Sequence, residues 1–488
     1  MKNKELDSMK KINKYIIISF ISVFFLSSCS DWFDISPKTD IKAEKFFSTE
    51  SGFNSALAGI YVTMTNDETY GKEASFGLMD QLAQIYDYIP DGAANNRSLI
   101  YTYNTEPQGY RTKSRLASIW GGSYNIIANI NNLLKWLDNK GKDVIKNDQK
   151  RSMIYGEALA IRAYIHFDLL RGWGPMTYPL GDAKNNLSIP YRTLPDNSKQ
   201  PLLPAKDILD KIIADLNAAE EYLSFESKLN LLGWDTKDRR FRFNYHAIKA
   251  LKARIYCYAN MPKEAIENAQ YVIDNSGLSL LNNNDTDPIF FKETIFAINM
   301  NKMRERLIST FSEGPNFTSQ YYCSTNTLNS IFEVTGTSSD VDMRAKHERG
   351  FFRYNDKQTA ITRKYIRNDD NVIPLIRLPE MYYILCEMSS LEDAPEYINK
   401  IRNKRGYSTS TNYTSFKDNT ERINMLEKEY RKEFYAEGQY FYFLKNHGFT
   451  TFINCPIDNF GEEQYVFPIP DNEKSYGWTD VSENVSNN

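Results

Sequence analysis

The sequence predicts a mainly α fold built on tetratricopeptide-type (TPR-type) helix pairs. Two observations carry this. Long stretches place apolar residues at helical spacing, as in "RSMIYGEALAIRAYIHFDLLRGWGP", where Ile154, Ile161, Ile165 and Leu169 lie beside the small Ala158, Ala160 and Ala163. A helix–turn–helix unit also occurs twice. "YHAIKALKARIYCYANMPKEAIENAQYVIDN" and "LPEMYYILCEMSSLEDAPEYINKIRNKRG" superpose on a shift of 129 residues, with Ile255 on Ile384, Cys257 on Cys386 and Ala265 on Ala394. Such a pair buries one face only, so several must stack to share a core.

The elements follow in chain order. Residues 30–48 read as an extended leader, with Pro37 and mixed charge set against a helix. A helix then begins at Ser48 or Thr49 with Phe53, Leu57, Ile60 and Tyr61 on one stripe, and a second covers Phe76 to Ile85. Residues 86–110 read as loop. Helices are predicted over 112–138, 151–171 (ended by Gly172, Gly174 and Pro175) and 205–223, the last after a proline-rich connection. An irregular stretch, 224–243, precedes the first clear repeat. Between the repeats, 277–376 reads as a large insertion rich in Asn, Ser, Thr and Tyr, with short strands such as Thr294–Asn299. One more helix is predicted over 420–444, then a loop-rich tail.

The N-terminus carries its own signal. Lys10, Lys11 and Lys14 precede an apolar run from Tyr15 to Leu26, and a bilayer span needs roughly 20 such residues. The run is too short to span and reads as a secretory signal. It ends in Leu26-Ser27-Ser28-Cys29, a bacterial lipobox pattern that predicts acylation of Cys29. The expected organisation is a signal peptide over 1–28, a lipidated leader over 29–48 and a body over 49–488. Met9 is an alternative start. Two or three acyl chains anchor a protein stably, at about 0.8 kcal/mol per buried methylene.

Composition narrows the function. Net charge is −3 and no long basic run occurs, which argues against nucleic acid. Aromatic residues make up 14%, with 33 Tyr and 28 Phe, and aromatic faces stack well on the apolar faces of sugar rings. Cys257, Cys323, Cys386 and Cys455 are widely spaced, and the four histidines form no HExxH, so neither a metal nor another cofactor is predicted. Cys257 and Cys386 sit in apolar helical patterns and read as small buried hydrophobes.

Motifs spread along the chain resemble those of the SusD/RagB family of nutrient-binding surface lipoproteins. They are the lipobox, "DWFDISPKTD", "FFSTESGFNSALAGIY", "EALAIRAYIHFDLLRGWGPMTYP", "IRLPEMYYILCEM", "INKIRNKRG", "EKEYRKEFYAEGQYFYFLKNHG" and "VFPIPDNE", in family order. The tail "KSYGWTDVSENVSNN" departs from the family pattern. The resemblance implies four TPR-type pairs packed against an irregular, loop-rich ligand-binding half. It also implies lipid anchoring on the outer face of the outer membrane. The expected partners are an oligosaccharide, or a peptide in some branches, and a SusC-like TonB-dependent transporter.

Three clusters invite sharper readings. His166 and Asp168 lie two apart and so point to different helix faces, which favours packing over catalysis. Glu429, Glu433 and Glu437 share a helix face, yet glycosidase carboxylates flank a bond from opposite sides. Pairing with Lys428, Arg431, Lys432 or Arg422 is the favoured reading, so no catalytic residue is assigned. The tyrosine-rich loop differs. Tyr86, Tyr88, Tyr101 and Tyr103 come with Asn95, Asn96 and Arg97, which is a platform plus planar donors and acceptors for hydroxyls. Local packing of these tyrosines is the equal alternative. Asn316, Tyr321, Tyr322 and Trp234 are further ligand-contact candidates. Non-catalytic oligosaccharide capture is the leading function; a surface glycan hydrolase and a TPR scaffold without small ligand are the alternatives.

Overall fold

The computed structural model describes residues 38–87, 97–103, 107–196, 198–233, 237–282, 285–311, 321–334, 342–346, 349–353, 359–366 and 371–475. Cys29, Tyr88, Asn95, Asn96, Trp234 and Asn316 lie outside these. The chain divides at Gly52 into an N-terminal unit and a body from Phe53 onward. In the N-terminal unit, helix α1 (Lys38–Phe46) occupies that part of the extended leader expected over 30–48, and residues 30–37 lie outside the described ones.

Helix α2 (Glu50–Met64) buries the predicted stripe of Phe53, Leu57, Ile60 and Tyr61. The next helix, α3, is shorter than predicted (Leu78–Leu82), and Gln84 at φ 56 turns the chain beyond it. Then come α4 (Pro107–Trp136), with a π-turn over Leu137–Gly141, and α5 (Asp148–Trp173), capped by Asn147 Oδ1 accepting from Lys150 N at 2.9 Å. Strands β1 (Leu187–Ile189) and β2 (Leu203–Pro204) pair antiparallel across the proline-rich connection. They lead into α6 (Ala205–Tyr222), which packs along α5. A Cβ on Gly156 of α5 would lie 2.6 Å from Leu223 Cγ, so glycine sets this close approach.

The first clear repeat is α7 (Tyr245–Tyr258) and α8 (Pro262–Asn275), turned by Asn260 at φ 53. Strand β3 (Thr294–Asn299) forms where predicted. Within the insertion, β4 (Cys323–Ser324), β5 (Phe351–Arg353) and β6 (Thr359–Thr362) make a sheet in the order β4-β6-β5. Helix α9 (Thr325–Phe332) follows β4, capped by Ser324. Strand β7 (Val372–Arg377) pairs antiparallel with β3, so the insertion ends beside its start. The second repeat is α10 (Leu378–Met388) and α11 (Ala394–Lys404); α10 packs directly on α7 and α8, and α11 packs on α10. Ile255, Ile384, Ala265 and Ala394 are all buried, as are the unpaired Cys257 and Cys386.

The helix expected over 420–444 is two helices, α12 (Asn419–Glu433) and α13 (Tyr440–His447). Ala436 (φ 60) and Gly438 (φ 71) break it, and a Cβ on Gly438 would sit 2.6 Å from the Ser75 carbonyl oxygen. The break turns Glu437 into a buried charge network. Glu433 accepts from Arg405 (2.8 Å), Arg377 (2.7 Å) and Arg344 (2.8 Å). Glu429 pairs with Arg344 (3.0 Å) and Arg402 (3.3 Å), and Glu437 with Arg377 (2.9 Å) and Lys364. The partners thus come chiefly from other elements and not from the neighbours proposed above; of those, Lys432 alone reaches the row, at 3.4 Å from Glu429. A helix in the centre of a body faces more distant chain than its own next turn.

Burial by itself would raise the Glu429 carboxyl, but Lys432, Arg344 and Arg402 hold it down at about 2. His166 and Asp168 are structural too. His166 is buried, with Nδ1 at 2.9 Å from the Arg162 carbonyl and Nε2 accepting from Arg192 N, while Asp168 pairs with Arg171. Many of the abundant aromatics pack on one another inside, as Phe441 does on Phe467 at 5.5 Å.

Candidate functional site

The two tyrosine-rich stretches singled out above, more than 200 residues apart in sequence, have adjacent stems. Tyr86 stacks on Tyr321 with centroids 4.9 Å apart and planes at 12°. Asp87 N donates to the Tyr322 carbonyl at 2.9 Å. The Asp87 carboxylate then accepts from Ser324 N, from Thr327 Oγ1 (2.9 Å) and from Arg97 Nη2 (2.7 Å). Arg97 also donates to the Asp87 carbonyl at 3.1 Å. One carboxylate therefore ties both ends of segment 88–96 to each other and to the start of α9. Burial pushes that carboxyl up, but the Ser324 amide, Arg97 and Thr327 outweigh it and leave it below its usual range. These contacts favour the charged form of the carboxylate, the form on which the clasp depends.

A second feature flanks the first. Residues 97–101 form a 3-10 turn, and Tyr101 packs edge-on to Phe460 at 4.9 Å while its hydroxyl donates to the Leu82 carbonyl at 2.5 Å. Tyr103 adopts φ 47, a left-handed backbone that a bulky side chain takes up at a cost of roughly 1–2 kcal/mol. Its hydroxyl donates to the Gln464 carbonyl at 2.7 Å and fixes it there. Beside these residues lies an open cleft of about 570 Å³, lined by Ser98, Tyr101, Thr102 and Tyr103 on one side and by Ile457, Glu463, Gln464, Val466 and Pro468 on the other. That volume falls within the range of small-molecule sites, roughly 300–1,000 Å³.

The sequence candidates divide accordingly. Tyr86 (2% exposed), Tyr101 (3%) and Tyr321 (1%) are core residues. A ring with no open face cannot stack on a ligand, so burial argues against these three as stacking platforms, and Tyr101 meets the cleft only as part of its lining. Tyr103 is nearly buried at the cleft wall, and Arg97 and Tyr322 are half-buried at the junction of the stems. Tyr88, Asn95, Asn96, Trp234 and Asn316 lie outside the described residues. Sequence reading missed Asp87, Glu463 and Gln464. Ser324 and Thr327 show a helix-cap spacing that would have placed α9, but nothing local announces that a carboxylate at 87 reaches it.

Among the described residues, no group of three His, Cys, Asp or Glu side chains is placed to hold a metal, and no helix is long and apolar enough to cross a membrane.

Two family models between them take in most of the chain. Residues 31–257 match a SusD-like model described as starch-binding associating with outer membrane, and residues 274–445 match that of the SusD family. The chain belongs to the SusD family. It is 25% identical over 270 residues to SusD-like protein P2 of Formosa agariphila, covering 54% of this chain and 47% of that one. It is 23% identical over 314 residues to a SusD-like protein of Bacteroides ovatus, covering 61% and 49%. The match thus spans about half the length of these curated relatives. A solved SusD superfamily protein from Bacteroides thetaiotaomicron superposes with a TM-score of 0.69 at 20% identity, over 88% of this chain and 98% of the other. A SusD-like carbohydrate binding protein from Bacteroides vulgatus gives 0.67 at 15% identity, over 89% and 98%. These likenesses establish the fold: mainly helical and SusD-like.

Proposed function

We propose that this protein is a lipid-anchored receptor on the outer face of the outer membrane that captures oligosaccharides without cleaving them and passes them to a SusC-like TonB-dependent transporter. The observation that carries the reading is the convergence of two tyrosine-rich stems on one clasped junction, next to an open cleft. Binding residues gather on loops held by a rigid scaffold, and the buried charge network supplies such a scaffold. The SusD family assignment supports capture of a glycan, and the family description supports the membrane address.

The glutamate row supports the non-catalytic part. A glycosidase needs one carboxylic acid that can give up a proton near neutral pH. Glu429 is held at about 2 and Glu433 well below its ordinary range, both enclosed by guanidinium groups. Both are also buried, and a low carboxyl enclosed by guanidinium groups is a poor general acid.

The anchor rests on Cys29. Replacing it, Cys29→Ala, is expected to shift the protein from the membrane fraction to the soluble fraction on cell fractionation, and to remove label from cells fed a clickable fatty acid. Full membrane retention of the variant would contradict the anchor.

A further inference from the structure

The cleft beside Tyr103 has a chemical signature of its own. Its lining offers hydroxyl, amide and aliphatic groups: Ser98, Thr102 and Gln464 with Ile457, Val466 and Pro468. No lysine, arginine or histidine lines it among the described residues. The one charged lining side chain is Glu463, which is exposed and forms no ion pair with a described residue. A carboxylate lining a cleft accepts hydroxyl donors and, at low salt, repels anions. The Tyr103 hydroxyl, donating to the Gln464 carbonyl at 2.7 Å, links the two walls.

From this we infer that the cleft is a subsite for a neutral sugar chain, and that Glu463 discriminates against uronate- or sulfate-bearing glycans. The inference rests on the capture reading and deepens it by naming the charge class of the ligand. Hydroxyls of a neutral chain donate to the Glu463 carboxylate and accept from the Gln464 amide NH2, its oxygen being held by Gly461 N at 3.0 Å, and the aliphatic side chains meet C–H faces of the rings. A carboxylate on the ligand a few ångströms from Glu463 loses about fivefold to tenfold in affinity at low salt, and less as salt screens the pair.

The test is binding of the purified protein to neutral and acidic polysaccharides that include matched pairs. Hydroxyethylcellulose against carboxymethylcellulose, and methyl-esterified against de-esterified polygalacturonate, change charge on one backbone. Wild type is expected to favour the neutral members at least fivefold at low salt. Glu463→Gln is expected to narrow that gap, and Glu463→Lys to reverse it, with melting temperatures unchanged because the side chain is exposed. Equal or better binding of the anionic members overturns the inference and leaves capture standing. So does a preference that the Glu463 variants leave unaltered. A panel to which nothing binds overturns capture, and this inference with it.

Discussion

Replacing Glu433 with glutamine is expected to destabilise the body by about 3–5 kcal/mol, the cost of breaking a buried ion pair from one side. Glu433 sits at the meeting point of Arg344, Arg377 and Arg405, and its side chain is 0% exposed. Arg405 is equally enclosed and shares Glu293, at 2.7 Å. Removing the charge leaves three buried guanidinium groups with one carboxylate fewer, and none can swing into water. Urea unfolding of Glu433→Gln against wild type measures the loss. The exposed pair Lys400–Glu396, at 2.7 Å with side chains 49% and 66% exposed, is the control. Its disruption is expected to cost at most about 0.5 kcal/mol.

The same cluster sets an acid dependence. The folded Glu429 carboxyl is near 2 against an ordinary 4.5. A depressed carboxyl contributes stability that is complete above about pH 4.5 and is lost as pH falls toward 2. His166 acts in the same direction at higher pH. Burial lowers it from 6.5 to about 3, so the unfolded chain gains a proton that the folded chain refuses, and stability declines as pH falls below about 6.5.

The second large effect is expected at Asp87, and it falls on binding more than on folding. Asp87→Ala removes the acceptor for Ser324 N, Thr327 Oγ1 and Arg97 at once. A hydrogen bond to a charged group contributes about 1.5–3 kcal/mol, so ligand affinity is expected to fall roughly tenfold to a hundredfold if the stems must be held together before binding. Hydrogen exchange is expected to quicken at 97–103 and 321–327 while the repeat helices α7, α8, α10 and α11 stay protected. Calorimetric titration with the bound glycan gives the affinity. Unchanged affinity with quickened exchange would show that the clasp organises the chain but not the site.

The sequence exposed the repeats because each repeat is local. Ile255 and Ile384, or Ala265 and Ala394, obey the same packing rule at the same step along a helix, and periodicity sees that directly. The strand Thr294–Asn299 was visible for the same reason, but its partner Val372–Arg377 was not, since pairing across the insertion is a long-range event. Breaking the 420–444 helix needed Gly438 to meet the Ser75 carbonyl, again a contact between distant chain. The site was half legible. Tyrosine-rich loops with Asn and Arg pointed to the two stretches whose stems meet, yet composition could not tell buried rings from open ones. Tyr86 and Tyr321 look like binding residues in sequence and are core in the fold, because each finds the other's ring. Asp87 was silent for the opposite reason: one acidic residue at the edge of a loop carries no signal until its partners are seen.

Capture without cleavage is proposed at the clasped stems and the cleft beside them. Its most direct test is to incubate the protein lacking residues 1–29 with polysaccharides and peptides, measure binding, and chromatograph the same samples for shortened products. Saturable binding of a glycan that stays full length is the expected result. Shortened products, or binding of peptides alone, would contradict it.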